Sequence, residues 1–179
     1  NRFSTMEEFR IALGIPRLKA VTEKTYEIFI SYSIEDQGYA EIISAGLEEL
    51  GLGCWLAQRD IPPGDDWASA IHDAIHQAKA FLLILSNFSN HSIQIEREVT
   101  LADSKNLPIF CIRTEDVILS GALSAYLKNI QWLDFFELPT KPGIEKLTKT
   151  IRKGLSHSYH LHPRGSSPDQ TQPSIIVHE

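Results

Sequence analysis

The stretch FLLILSNFSNHSIQIEREVTLA, residues 81–102, decides how the chain folds. Phe81 to Ser86 is the most apolar run in the sequence, and a run without polar alternation suits a central parallel strand covered on both faces. From Ser89 to Ala102 the spacing turns helical, with Ile95, Val99 and Ala102 at i, i+4 and i+7. A buried strand feeding an amphipathic helix is the unit from which α/β folds are built. That helix carries two glutamates, Glu96 and Glu98, each about 100° from a core residue on opposite sides of its apolar face. Periodicity alone leaves open whether either of them serves chemistry.

The same alternation extends in both directions. Tyr26 to Tyr32 (YEIFISY) reads as a strand, followed by helical spacing from Asp36 to Leu50 with Ala40, Ile43 and Leu47 on one face. GCWLA (Gly53 to Ala57) is a second strand. A Pro/Gly loop leads from it to a helix over Trp67 to Ala78, whose apolar face is Trp67, Ile71, Ala74, Ile75 and Ala78. Beyond Ala102 come the strand PIFCIR (Pro108 to Arg113), a weaker helix around Leu119 to Leu127, and the strand NIQWLDF (Asn129 to Phe135). A helix from Gly143 to Leu155 closes the series, basic at its C-terminal end as the helix dipole favours. Five β-α units in sequence predict an α/β fold with a parallel sheet covered on both faces. The only Gly-x-Gly, Gly51 and Gly53, precedes a strand and reads as a helix stop.

Composition bounds the rest. With 179 residues, 42% hydrophobic and 22% charged, the chain has room for one ordinary globular domain plus attached segments. Residues 1–25 hold a short helical pattern, with Ser4 and Glu7 at capping-box spacing and Gly14 then Pro16 as a stop. Residues 26–155 form the core domain. Residues 156–179, rich in Ser, Pro and His, read as a disordered tail or linker. A net charge of −6 argues against a nucleic-acid surface. No apolar run approaches the ~20 residues that span a bilayer. The chain begins with Asn and shows no signal-peptide pattern, which reads as a fragment or trimmed chain with a cytoplasmic default. Cys54 and Cys111, both inside strand-like runs, are expected reduced and buried.

Doubly wound sheets bind ligands beyond the carboxyl ends of their strands, where strand order reverses. For an order 2-1-3-4-5 that crevice is flanked by Ser31, Tyr32 and Ser33 after the first strand, and by Ser86 and Asn87 after the third. Several occupants of such a crevice fail on sequence. There is no Gly-rich turn ending in Lys and Ser or Thr, no glycine fingerprint between strand and helix, and no Asp closing the third strand. A flavodoxin-type phosphate loop would not carry Glu35 and Asp36, acids that already occupy the positive end of the next helix. His72 and His76 in HDAIH have zinc-like spacing, but no third ligand is evident and both neighbour core positions, so no metal is expected.

The ordered set YEIFISYSIED, GCWLAQRDIPPGDDW and FLLILSNFSNHS followed by EREVTLA resembles the TIR (Toll/interleukin-1 receptor) domain family, in particular its bacterial members. The resemblance spans Tyr26 to Leu155. It implies a flavodoxin-like, five-stranded parallel sheet of order 2-1-3-4-5. It also implies one of two functions: NAD⁺ cleavage between nicotinamide and ribose, or non-catalytic signalling by self-association. The family's catalytic glutamate falls on Glu98 rather than Glu96. A single carboxylate is chemically sufficient, because nicotinamide leaves as a neutral base from a cationic pyridinium and needs no proton. One carboxylate near the ribose can then stabilise the developing positive charge.

The same resemblance implies the other site residues. Trp55 lines the nicotinamide side, where an aromatic face suits a cationic ring, or is otherwise a core Trp at the sheet end. Tyr32 and Ser33 lie near the nucleotide, although Ser33 with Asp36 also has the spacing of a helix N-cap. Gln94 stands one turn before Glu98, where enzymatic members often carry Trp. The loop Gln58 to Asp66 matches the family's mobile BB loop, with Arg59, Asp60, Ile61, Pro62, Pro63 and Gly64 as gate or assembly surface, and Asp65 or Asp66 can cap the next helix. NAD⁺ is then a substrate and no cofactor is required. The implied partners are other TIR domains, which commonly complete the substrate site, and the implied setting is defence or cell-death signalling. Two other readings stand beside this one: a non-enzymatic association module, favoured by Gln94 and the acids Glu35 and Asp36, and a flavodoxin-like small-molecule binder.

Overall fold

A computed structural model describes residues 26–161, apart from positions 122, 129, 131 and 138. The expected N-terminal helix and most of the expected tail lie outside the described residues. The five strands are β1 (Ile28–Ser31), β2 (Cys54–Trp55), β3 (Ala80–Leu85), β4 (Ile109–Arg113) and β5 (Trp132–Asp134). All pair in parallel in the order β2-β1-β3-β4-β5, as expected. The helices are α1 (Gln37–Glu49), the short α2 (Ala57–Asp60), α3 (Trp67–Gln77), the single turn α4 (Asn87–Asn90), α5 (Ile93–Ser104), the short α6 (Leu123–Leu127) and α7 (Lys141–Leu161).

β3 is buried along its whole length, which is why its sequence shows no alternation. Its even-numbered residues Leu82 and Ile84 join Ile28 and Ile30 of β1 against Ile43 and Leu47 of α1 and Leu147 and Ile151 of α7. Its odd-numbered residues Phe81, Leu83 and Leu85 face Ile71 and Ile75 of α3 and Ile95 and Val99 of α5. Two apolar layers therefore clamp the sheet. Burying each such side chain contributes roughly 1.5–3 kcal/mol. α1 and α7 approach closely because Gly46 has no Cβ, which would otherwise stand 2.6 Å from Ile144 Cδ1. Gly51 ends α1 in a left-handed conformation, φ +81°.

Several local expectations are corrected. The helix over Ser89 to Ala102 is two elements, broken at His91 and Ser92, because Ser86 and Ser89 close a capping box around α4 and Ser92 caps α5 anew. The last helix begins at Lys141 and runs six residues past Leu155 to Leu161, so the boundary at 155/156 falls inside it. Ser33 does not cap a helix. Its hydroxyl binds the Glu35 carboxylate, and residues Ile34–Asp36 form a 3-10 turn ahead of α1. Cys54 and Cys111 are free and buried, and burial pushes the Cys111 thiol up to about 12.

Candidate active site

Beyond the C-terminal end of β1 lies a cleft of about 400 Å³ with Glu98 among its walls. α5 crosses the sheet face above β3, and its Ile95, Val99 and Ala102 dock into the core. This placement carries the neighbouring Glu98 to the sheet edge, where it is only 8% exposed. Ser31, the last residue of β1, donates its hydroxyl to Glu98 Oε2 at 2.7 Å. Gln94, one turn earlier on α5, donates Nε2 to Oε1 at 3.1 Å. Both carboxylate oxygens are thus held by neutral donors, and among the described residues no lysine or arginine pairs with them. Burial pushes the Glu98 carboxyl above its ordinary range, and the two hydrogen bonds oppose that shift. Glu96 is partly buried and is not among the residues that line the cleft.

Tyr32, Ser33, Glu35, Gln58 and Trp67 line the cleft with Glu98 and Gln94. Burial raises the Tyr32 phenol. The structure therefore brings together Tyr32, Ser33, Gln94 and Glu98 from the sequence reading. Trp55 does not join them. It is 6% exposed and stacks on Phe29 at 5.0 Å, while Phe29 stacks on Phe81 at 5.4 Å. The parallel register places Phe29 opposite both rings, so the three form a ladder inside the core. The aromatic ring that reaches the cleft is Trp67, the first residue of α3, which the helical pattern assigns to the core; it is 39% exposed.

The loop before Trp67 divides into an anchored half and an exposed half. Arg59 and Asp60 belong to the short helix α2 rather than to a mobile loop. Arg59 pairs with Glu48 of α1 at 3.0 Å and with Asp60 at 2.9 Å, and it donates to the Cys54 carbonyl. Asp60 Oδ2 accepts the Leu56 amide at 2.9 Å. Ile61 is half-buried against the core, whereas Pro62, Pro63 and Gly64 are exposed. Asp66 caps α3 through the Ala68 amide at 3.2 Å and the Ser69 hydroxyl at 2.5 Å. His72 and His76 sit on the exposed side of α3 with ring centroids 4.3 Å apart. Among the described residues, no group of three His, Cys, Asp or Glu side chains is placed to hold a metal.

A second buried acid stands nearby. Asp36, 7% exposed, accepts from the Ser86 hydroxyl at the end of β3 at 2.5 Å. Burial raises its carboxyl, and Glu115 and Glu35 push the same way, against the Ser86 hydrogen bond. Unlike Glu98, it is not among the residues that line the 400 Å³ cleft.

The chain belongs to the TIR domain family, whose model matches residues 28–148. It is 35% identical over 93 residues to the Stimulator of interferon genes protein of Magallana gigas; the match covers 51% of this chain and 22% of that protein, about a fifth of its length. The fold is similar to that of the TIR domain of the Toll-related receptor TRR-2 from Hydra magnipapillata, with TM-score 0.61 and 22% identity over 72% of this chain and 99% of the other. It is also similar to a metazoan TIR-STING receptor from C. gigas solved with 2',3'-cGAMP, with TM-score 0.56 and 22% identity over 75% of this chain and 46% of that one. A third similar structure is the RPS4 and RRS1 TIR domain heterodimer, at TM-score 0.54 and 13% identity over 73% and 99% of the two chains, in which one TIR domain pairs with another. Among the described residues, no helix is long and apolar enough to cross a membrane.

Proposed function

We propose that this TIR domain cleaves the bond between nicotinamide and ribose in NAD⁺, with Glu98 as the catalytic carboxylate. The observation that carries the reading is a buried carboxylate that lines an open cleft, held at both oxygens by neutral donors and without a cationic partner among the described residues. Such a group is costly to ionise until a positive charge arrives. The pyridinium of NAD⁺ brings one, and C–N cleavage transfers that charge to the ribose as an oxocarbenium. The attraction therefore grows toward the transition state, where it accelerates the reaction. Electrons of the glycosidic bond leave with nicotinamide as a neutral base, and water or another acceptor then captures C1′. Ser31 and Gln94 fix the carboxylate's orientation, and Trp67 offers a face for the cationic ring.

Assembly belongs to the same reading. Apolar side chains stand exposed around the C-terminal edge of the sheet: Ile34 at 54%, Phe88 at 57% and Ile93 at 68%. Together with the exposed Pro62-Pro63-Gly64 segment they supply a surface for a second TIR domain. Self-association is accordingly the proposed trigger, and a purely associative module without turnover is the second reading. Free, buried thiols accord with a reducing, cytoplasmic setting, and defence or cell-death signalling is the proposed role.

The test is NAD⁺ consumption at high protein concentration, with and without a crowding agent, beside Glu98→Gln. Nicotinamide release that the substitution abolishes supports the enzyme. No turnover under conditions where self-association is demonstrated would transfer the function to the associative module.

A further inference from the structure

Two serines, two residues apart, each hold a glutamate on the wall of the cleft. Ser31 donates to Glu98, and Ser33 donates to the Glu35 carboxylate. Both glutamates line the cleft, as does Ser33 itself. Glu35 is exposed, and the Ser33 hydrogen bond lowers its carboxyl, so it stands ionised at neutral pH. Among the described residues that line the cleft, Glu35 and Glu98 are the charged side chains, and no Lys, Arg or His joins them. Arg59 lines a separate groove against α1, where it pairs with Glu48 and Asp60. Arg97 lines another groove, of about 330 Å³, between α3 and α5, which Glu98 also borders. The cleft therefore presents a field of one sign, a fixed negative charge beside a second that a bound cation would favour.

We propose that the cleft of a single chain selects cationic pyridinium N-ribosides that carry no phosphate, nicotinamide riboside among them, and that Glu35 is the residue that sets this preference. The inference rests on the Glu98 reading for its chemistry and extends it to a second class of substrate. Both carboxylates attract the pyridinium. A phosphate on the 5′ oxygen instead brings negative charge toward Glu35, with no cation in the cleft to receive it. Selection of this kind works by repelling the competitor rather than by adding contacts. In the reaction the bond between C1′ and the ring nitrogen breaks, and its electron pair leaves with neutral nicotinamide. Water adds to C1′ and releases one proton, giving free ribose. NAD⁺ differs by its pyrophosphate, whose charge has to be met from outside this cleft.

The test compares nicotinamide riboside with nicotinamide mononucleotide, which differs only by the 5′-phosphate. Binding is read in Glu98→Gln, so that turnover does not interfere and Glu35 is left as the charge in the cleft. Methyl NMR follows Ile34, which lines the cleft, with the buried Ile28 as the check on folding. At low ionic strength the riboside should bind roughly tenfold more tightly than the mononucleotide, and salt should narrow the gap. Adding Glu35→Lys should abolish or reverse that ratio, a change of preference that a merely structural role for Glu35 would not produce. The native chain should convert the riboside to nicotinamide and ribose. Equal or tighter binding of the mononucleotide, a ratio unmoved by Glu35→Lys, no Ile34 shift with either ligand, or cleavage of NAD⁺ without cleavage of the riboside would each overturn the inference. Riboside bound with this preference while neither it nor NAD⁺ is cleaved would instead overturn the proposed function alone.

Discussion

Glu98 and Asp36 form a crossed pair at the point where strand order reverses. Glu98, carried by the helix after β3, accepts from Ser31 at the end of β1. Asp36, in the turn after β1, accepts from Ser86 at the end of β3. Both are buried, both take a serine hydroxyl, and both are shifted upward by burial. They differ in what lies in front of them. Glu98 lines two cavities, whereas Asp36 lines neither of them. A raised carboxyl is therefore no sign of catalysis by itself. The same interaction ties two crossover connections together at one position and holds a cleft-lining carboxylate at the other.

Activity should separate the acids that charge alone would group together. The largest effect expected is a loss of about 10²–10³-fold in NAD⁺ cleavage for Glu98→Gln, the scale of removing one preorganised charge from a transition state. Glu96→Gln, two residues away and not lining the cleft, should stay within about twofold. Ser31→Ala should lower turnover roughly tenfold, as the loss of a hydrogen bond to a charged group does. It should also move the acidic limb of the pH–rate profile upward. The sign follows because the Ser31 bond lowers the Glu98 carboxyl, so its removal raises it further. An unmoved limb would mean that another group titrates.

The two tryptophans extend the comparison. Trp67→Ala should raise KM for NAD⁺ by roughly tenfold with folding intact, because the ring borders the cleft. Trp55→Ala should lower Tm sharply, by about 3–5 kcal/mol of lost packing, because its ring stacks on Phe29. Equal effects on KM from both would break the division between site and core.

Stability, the smallest effect, should treat the two acids alike. Because the folded-state carboxyl of Glu98 lies above its unfolded value, its contribution is present in acid and lost as pH rises. Glu98→Gln should therefore raise Tm at neutral pH, by about 1 kcal/mol or roughly 3 °C. The gain should vanish below the ordinary glutamate range. Asp36→Asn should show the same sign, measurable by thermal melts across pH.

Much of this was legible in the residues. The unbroken apolar run of Phe81 to Leu85 forecasts a strand covered on both faces, and it lies at the centre of the sheet. Periodicity leaves Glu96 and Glu98 equal; only the resemblance to the TIR family points to Glu98, and the fold buries that glutamate. What escaped depended on long-range geometry. Trp67 has the spacing of a core residue, yet as the first residue of α3 its ring projects past the end of the apolar layer to the cleft. Its signal was its place directly after the Pro/Gly loop at the crevice. Trp55 reads either as a cleft ring or as a core Trp at the sheet end, and the register with Phe29 and Phe81 places it in the core. Ser33 and Asp36 match capping spacing, but the intervening 3-10 turn aims Asp36 at Ser86. Ser86, Ser89 and Ser92 mark the break between α4 and α5 through their caps, a signal that the continuous helical reading overlooked.

The most direct test of the central claim is nicotinamide release from NAD⁺ by the native chain, Glu98→Gln and Asp36→Asn, measured side by side at concentrations where all three self-associate equally. The cleft-facing acid should prove indispensable, and Asp36→Asn should retain turnover within about threefold of the native chain. Retained activity in Glu98→Gln, or an equal loss in both variants, would contradict the account.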